Sequence, residues 1–275
     1  MPSPHFLFGR KLANFFTELP QVEAVCLAGS QRSGSTDSAS DIDVYIYTRA
    51  EIPLEIRRQI VERSGGATRA NLGLEYWGPG DEWYDAASGI EVDLVYFDAA
   101  WMAGQLQQVL VEHRASAGYT TCLWYTLLNS QILIDPRGWF ARLKAFFQQP
   151  YPDPLRRNII TYNHPLLRGV IPAYAHQLEK AVQRRDWVSV NHRLAALLAS
   201  YFDILFALNR LPHPGEKRLL AFAVANCKTQ PVGMAEDVTL LLSTAADPAC
   251  LAHLNRLLDR LDDLLQQHGF DVHSM

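Results

Sequence analysis

Residues 27–48 read LAGSQRSGSTDSASDIDVYIYT. The apolar run that ends at Gly29-Ser30 predicts a strand entering a turn, and the small polar residues after it predict a loop. From Ile42 to Thr48 the side chains alternate in character with a period of two, which is typical of a second strand. Asp41 and Asp43 lie two residues apart at its start, so both carboxylates point to the same side.

Two carboxylates on one side of a strand need a counter-charge. Like charges brought together away from water are costly unless a cation compensates them. A third acidic residue, Asp93, lies in Val92-Asp93-Leu94-Val95, a later run that also alternates as a strand does. If the three carboxylates converge, their oxygen ligands select Mg²⁺, Mn²⁺ or Ca²⁺ rather than zinc.

The flanking sequence predicts two domains of different character. Helical spacing over residues 5–19 and from Pro53 to about Arg63 alternates with strands, and the Gly- and aromatic-rich segment 71–89 predicts a hairpin or an elaborate loop. After a proline-rich stretch that ends near residue 154, apolar stripes at helical spacing predict a bundle. We expect an α+β fold, with a short mixed sheet and flanking helices in residues 1–150 and an all-α helical bundle in residues 151–275.

Composition excludes several classes of protein. The 275 residues are 48% hydrophobic and 20% charged, enough apolar material for a core. No run approaches the ~20 apolar residues of a membrane span, and the start lacks the pattern of a signal peptide. We therefore expect a cytoplasmic protein with no membrane partner. The four cysteines are far apart in sequence, which argues against a disulfide framework or a zinc site.

The charge is unevenly distributed along the chain. Residues 1–100 carry 15 acidic and 8 basic side chains. This balance would repel a nucleic-acid backbone and would suit metal cations or a cationic substrate. Three further acidic side chains in the aromatic segment would suit a cationic acceptor or equally a solvated loop tip: Asp81, Glu82 and Asp85.

The order of these pieces resembles the DNA polymerase β-like nucleotidyltransferase superfamily. The matching stretches are Leu27-Ala28-Gly29-Ser30, Ser40-Asp41-Ile42-Asp43-Val44 and Val92-Asp93-Leu94-Val95. The resemblance covers about residues 20–97. With its helical remainder, the chain resembles the bacterial small-molecule branch, which includes the aminoglycoside and lincosamide nucleotidyltransferases of antibiotic resistance.

The resemblance implies a metal-dependent reaction. A nucleoside monophosphate, expected to be AMP from ATP, would pass to a hydroxyl of a small molecule such as an antibiotic, with release of pyrophosphate. Asp41 and Asp43 would bridge two Mg²⁺ ions, and Asp93 would complete the site as a metal ligand or general base. Glu91 lies two residues before Asp93 on the same strand, so it is the second candidate for the base.

Six residues are expected to bind the nucleotide. The resemblance implies that the Gly29-Ser30 turn binds the phosphates of the nucleotide. It also implies that Arg32 and Ser40 contribute to nucleotide binding. Lys217 and Arg218 follow a turn rich in proline and are predicted to lie in the first turn of a helix. Cations there oppose the helix dipole, which favours a contact with the triphosphate; the alternative is an ordinary turn with surface charges.

Two other functions remain open from the sequence. One is transfer to a protein side chain, as in AMPylating enzymes of the toxin–antitoxin type. The other is a non-catalytic, nucleotide-binding regulatory protein, against which the intact Asp41, Asp43 and Asp93 argue. A homodimer is expected if the bundle exposes apolar faces.

Overall fold

The computed structural model describes residues 4–28, 41–76 and 78–272. The chain divides into two compact units, the first made of Met1–Gln107 and Thr126–Gln149, the second of Gln108–Tyr125 and Pro150–Met275. The second unit thus includes a segment from the middle of the predicted first domain. The domain boundary after residue 150 stays a prediction.

A mixed sheet organises the first unit, as the sequence predicts. Within the described residues it has six strands in the spatial order β3-β4-β5-β2-β1-β6. Strands β2 and β5 run parallel, and the other neighbours run antiparallel. The bounds are β1 Val22–Leu27, β2 Ile42–Thr48, β3 Ala67–Leu74, β4 Gly80–Asp85, β5 Glu91–Asp98 and β6 Gln131–Ile134.

Helices cover the sheet of the first unit on both faces. On one face, Leu12 and Phe16 near α1 and Ile60 of α2 join the buried cluster formed by the apolar side chains of β2. On the other face, Tyr47 packs against Phe140 of α5, with ring centroids 5.1 Å apart. The helices in this part of the chain are α1 Pro4–Asn14, α2 Leu54–Ser64, α3 Ala99–Leu110, α4 Cys122–Asn129 and α5 Trp139–Phe147.

The first helix is shorter than its apolar spacing predicts. It ends at Asn14 rather than near Leu19. The reason lies in the backbone, because Phe15 and Phe16 donate to the carbonyls of Leu12 and Ala13, three residues back. Such bonds tighten and close a helix end.

Helices make up the described part of the second unit after Pro150, as expected. The longest is α8, whose buried side chains form the centre of the helical packing. None of the described helices is both long and apolar enough to span a bilayer. The bounds are α6 Asp153–His164, a π-helical turn Pro165–Gly169, α7 Tyr174–Gln183, α8 Trp187–Leu208, α9 Leu219–Asn226, α10 Met234–Ser243 and α11 Cys250–Gln267.

A buried polar network within the second unit ties the segment before α4 to α6 and α8. The Gly118 N–H donates to Asn163 Oδ1 at 3.0 Å. Thr120 donates to Asp203 from its backbone N–H at 3.2 Å and from its hydroxyl at 2.6 Å. Burial raises the pKa of Asp203 to about 7, although the hydrogen bonds from Thr120 act to lower it.

We expect Gly118→Ala to destabilise the second unit by roughly 2 kcal/mol or more. Gly118 has a φ of +77°, and an added Cβ would lie 2.8 Å from the Cβ of Ala199. The measurement is chemical denaturation. As the control, Gly104→Ala within α3 meets no atom within 4 Å, so it should stabilise slightly, by ~0.5 kcal/mol. Equal stability of the two variants would contradict this packing.

We also expect the Asp203 carboxyl to contribute a fall in the free energy of unfolding between about pH 4 and about pH 7, opposed by buried His213, whose pKa burial lowers to about 4. The unfolded chain loses the Asp203 proton near the ordinary pKa of 3.8, whereas the native state holds it until about 7. The native state therefore binds more protons in this window, and the free energy of unfolding falls as pH rises. Asp203→Asn should flatten this slope in denaturation measured across pH, and exposed Asp263→Asn should leave it unchanged. A stability difference between the wild type and Asp203→Asn that stays constant from pH 4 to pH 7 would contradict the shift.

Candidate active site

Asp43 and Asp93 lie side by side on the two parallel strands. The β2–β5 register pairs Asp43 directly with Asp93. Paired residues on adjacent strands project from the same face, with backbones ~5 Å apart. Both side chains are half-buried, and half-buried Asp41 comes immediately before β2. The fold thus places two of the three predicted metal ligands at directly opposite positions of neighbouring strands, and the third lies two residues before Asp43.

The alternation of side chains explains why the carboxylates face this way. Ile42 and Val44 of β2 and Val92 and Leu94 of β5 are buried in the helix-covered core. Because neighbouring residues on a strand point to opposite faces, burial of these four turns Asp43, and Asp93 with it, to the other face. The hydrophobic core therefore orients the acidic pair.

Strand β4 adds two polar side chains to the same face. Its antiparallel register with β5 pairs Glu82 with Asp93 and Tyr84 with Glu91. The Tyr84 hydroxyl donates to Glu91 Oε2 at 3.0 Å, so one oxygen of Glu91 is engaged. The sequence suggests nothing beyond a cationic acceptor or a loop tip for Glu82, because the register of a strand pair is not visible in one strand.

A pocket lies on the open side of this acidic row. It has a volume of about 120 Å³ and lies wholly within the first unit. Its walls come from β3, β4 and the first residue of β5, and the lining residues are Arg69, Asn71, Glu82, Trp83, Tyr84 and Glu91. A group held here would lie against Glu82, the residue opposite Asp93 on the neighbouring strand.

Tyr45 is a neutral hydroxyl group next to the acidic pair. Burial, followed by the negative charges of Asp43 and Asp93, raises its pKa to about 12. Its ring packs edge-on against Phe97 at 5.4 Å. The phenol therefore keeps its proton at neutral pH and can act as a hydrogen-bond donor on this face of the sheet.

The donor chemistry of the row fits magnesium. Carboxylate oxygens from Asp41, Asp43 and Asp93 are ligands that Mg²⁺ prefers. In the described ranges, however, no three acidic, histidine or cysteine side chains are already gathered closely enough to hold an ion. The register supports a divalent site, and its role as a metal centre stays a prediction.

The predicted nucleotide-binding residues have different outcomes. Gly29, Ser30, Arg32 and Ser40 lie outside the described residues. Lys217 and Arg218 are exposed and belong to the second unit.

The predicted helical position of that basic pair is wrong. Helix α9 begins at Leu219, and both residues precede it. Arg218 adopts a left-handed φ of 55° and Gly215 a φ of 103°, conformations that a right-handed helix excludes. Contact of Lys217 and Arg218 with a triphosphate remains a prediction.

A buried ion pair anchors β4, and with it Glu82, to the core. Arg57 Nη1 of α2 lies 3.3 Å from Asp81 Oδ1. The same carboxylate accepts a hydrogen bond from the Tyr96 hydroxyl at 2.7 Å and from the Gly73 N–H at 2.8 Å. Helix α2 and strands β3, β4 and β5 therefore meet at Asp81, which is next to Glu82 in the chain.

We expect Asp81→Ala to destabilise the first unit by ~3 kcal/mol, because it leaves buried Arg57 without its carboxylate. The double variant Asp81→Ala/Arg57→Met should recover part of that loss, since it removes the orphaned charge. Urea denaturation of both variants gives the comparison. If the double variant is less stable than the single one by the full cost of a second core substitution, the pairing has no energetic role.

Two family models match different parts of this sequence. Residues 10–114 match the family described as "Nucleotidyltransferase domain". Residues 120–218 match the family described as "Domain of unknown function (DUF4037)". The chain therefore carries a nucleotidyltransferase domain followed by a DUF4037 domain, which confirms the superfamily resemblance at the level of the domain.

One solved structure is similar over most of this chain. It is a nucleotidyltransferase-like protein from Exiguobacterium sibiricum 255-15, 12% identical, with 95% of this chain and 74% of that chain covered and a TM-score of 0.43. No curated protein matches the sequence.

Proposed function

We propose that the protein transfers a nucleoside monophosphate, AMP from ATP, to a hydroxyl of a small molecule and releases pyrophosphate. The observation that carries this proposal is the register that sets Asp43 beside Asp93 within the matched nucleotidyltransferase domain. Nucleotidyl transfer asks little covalent chemistry of a protein. It needs charge neutralisation at the triphosphate and in-line placement of the attacking hydroxyl.

Asp41, Asp43 and Asp93 would hold the magnesium ions. Bound there, two Mg²⁺ ions would neutralise phosphate charge and stabilise the attacking and leaving oxygens. In this proposal the basic residues Arg32, Lys217 and Arg218, with Gly29, Ser30 and Ser40, provide further contacts to the nucleotide.

The kind of acceptor follows from the charge of the acidic face of the sheet. Asp41, Asp43, Glu82, Glu91 and Asp93 come close together in the sheet or just before it. Such a surface repels a polyanionic acceptor and favours a neutral or cationic one. A small molecule, with an aminoglycoside or lincosamide antibiotic as the first candidate, fits this better than a nucleic acid.

We expect Asp43→Asn to lower turnover by at least ~100-fold while the thermal unfolding midpoint stays near that of the wild type, since the substitution removes a ligand charge and keeps the volume. The assay follows radiolabelled ATP with Mg²⁺ and a panel of aminoglycosides and lincosamides. Exposed Glu62→Gln is the matched control and should keep full activity.

The proposal fails in either of two cases. One is undiminished transfer by Asp43→Asn. The other is an ATP affinity, measured by calorimetry, that is the same with Mg²⁺ and with EDTA. In that case no metal bound by the carboxylates would contribute to ATP binding.

A further inference from the structure

A short turn of the second unit carries the basic pair Lys217 and Arg218. The turn joins the end of α8 at Leu208 to the start of α9 at Leu219, and both basic side chains are exposed. Arg218 has a left-handed φ of 55°, which is unfavourable for a residue with a Cβ. Such a conformation persists only where surrounding contacts hold it, so the turn needs an anchor.

His213 is the residue by which this turn enters the core of the second unit. Its side chain is fully buried, with 0% of its surface exposed. Its backbone N–H donates to the hydroxyl of buried Thr121 at 2.8 Å. Its ring packs against the rings of Tyr119 and of Phe206 in α8, with centroids 4.8 Å and 4.9 Å apart. His213 therefore joins the turn to two other segments of the same unit.

The imidazole of His213 also sets the path of the turn through its Nδ1 atom. The Gly215 N–H donates to Nδ1 at 3.1 Å, and Cys122 Sγ lies 3.4 Å from the same atom. Burial lowers the pKa of His213 to about 4, so the ring is neutral at neutral pH and Nδ1 can accept. Gly215 has a φ of 103°, which residues other than glycine rarely adopt. The hydrogen bond to the ring thus holds this conformation two residues before Lys217.

Helix α9 fixes the other end of the turn. The Phe222 N–H donates to the Arg218 carbonyl at 2.9 Å. The Phe222 ring packs edge-on against Phe206, with centroids 5.7 Å apart, and the same Phe206 ring contacts His213. The segment 214–218 is therefore held at both ends by contacts with one aromatic side chain, and the basic pair lies within this segment.

We propose that His213 is a positioning residue for the nucleotide: through Nδ1 and its buried ring it holds the turn in the shape in which Lys217 and Arg218 contact the triphosphate. This inference rests on the proposed function. Cations on a turn that is already ordered bind a polyanion more tightly than the same cations on a mobile segment, because less conformational freedom is lost on binding. His213 itself is buried away from the nucleotide, so its effect reaches the phosphates only through the basic pair.

The test compares two substitutions of His213 in the full chain, with MgATP binding measured by calorimetry. His213→Asn keeps an acceptor near the position of Nδ1, whereas His213→Phe keeps a ring and has no acceptor. We expect His213→Phe to raise the Kd for MgATP by ~10-fold, as for the loss of a charge-assisted contact, and His213→Asn to stay within ~3-fold of the wild type. The thermal unfolding midpoint of each variant shows whether it is folded.

A double-mutant cycle separates positioning from a loss of stability. In a Lys217→Ala/Arg218→Ala background, which should itself weaken MgATP binding, His213→Phe should change the Kd by less than about twofold, because the pair through which it acts is gone. Lys228→Ala removes an exposed cation beyond α9 as the matched control, and in that background the full effect of His213→Phe should remain. If His213→Phe is unfolded, Thr121→Val gives the second measurement, since it removes the hydroxyl that holds the His213 backbone and should also raise the Kd.

The outcomes separate this inference from the proposed function. Wild-type protein that binds no nucleotide with Mg²⁺ would overturn both. Wild-type binding that His213→Phe and Thr121→Val leave unchanged would overturn only the role of His213. An equally large effect of His213→Phe with and without the basic pair would also overturn that role, because His213 would then act through another group. Equal weakening by His213→Asn and His213→Phe would overturn the assignment to Nδ1.

Discussion

The parallel pairing of β2 with β5 is the constraint on which the candidate active site depends. It sets seven residues of one strand beside seven of the other, from Ile42 opposite Val92 to Thr48 opposite Asp98. A slip of one residue would turn Asp93 into the core and Val92 or Leu94 toward the acidic face. Burying the unpaired charge of an aspartate in the apolar core is strongly destabilising. The apolar pattern of the two strands therefore fixes the position of the carboxylates.

The neighbouring strands extend that arrangement outward. Antiparallel β4 carries the row to Glu82, and β3 carries it to Asn71. The ion pair of Asp81 with Arg57 holds β4 from the opposite face. Neighbouring residues of this short strand thus have separate roles: Asp81 is fixed in the buried ion pair, whereas Glu82 and Tyr84 line the pocket.

Part of this fold can be predicted from the sequence because the side chains of β2 and β5 alternate between apolar and polar. Ile42–Thr48 has a strict period of two, and β2 has those bounds. The apolar residues of the segments that become α8 and α11 have helical spacing, and both segments form helices. The spacing of apolar residues and the residues that favour turns are local features, so they can be recognised in a single sequence.

The relationships between distant segments cannot be recognised in the same way. Nothing local to Glu82 reveals that it pairs with Asp93, since the β4–β5 register depends on the whole hairpin. The start of α9 at Leu219 depends on left-handed conformations at Gly215 and Arg218, which spacing does not show. The segment 108–125 groups with the helical unit through buried contacts such as Thr120 with Asp203, 83 residues apart.

The most direct test of the central claim is a crystal structure with Mn²⁺ and a non-hydrolysable ATP analogue, in which anomalous scattering locates the ions. We expect Mn²⁺ within coordination distance of oxygens from Asp41, Asp43 and Asp93, with the triphosphate on the same ions. Ions bound elsewhere, or these carboxylate oxygens separated by more than ~10 Å in the complex, would contradict the account, since that distance is several times the ~2 Å of a metal–oxygen bond.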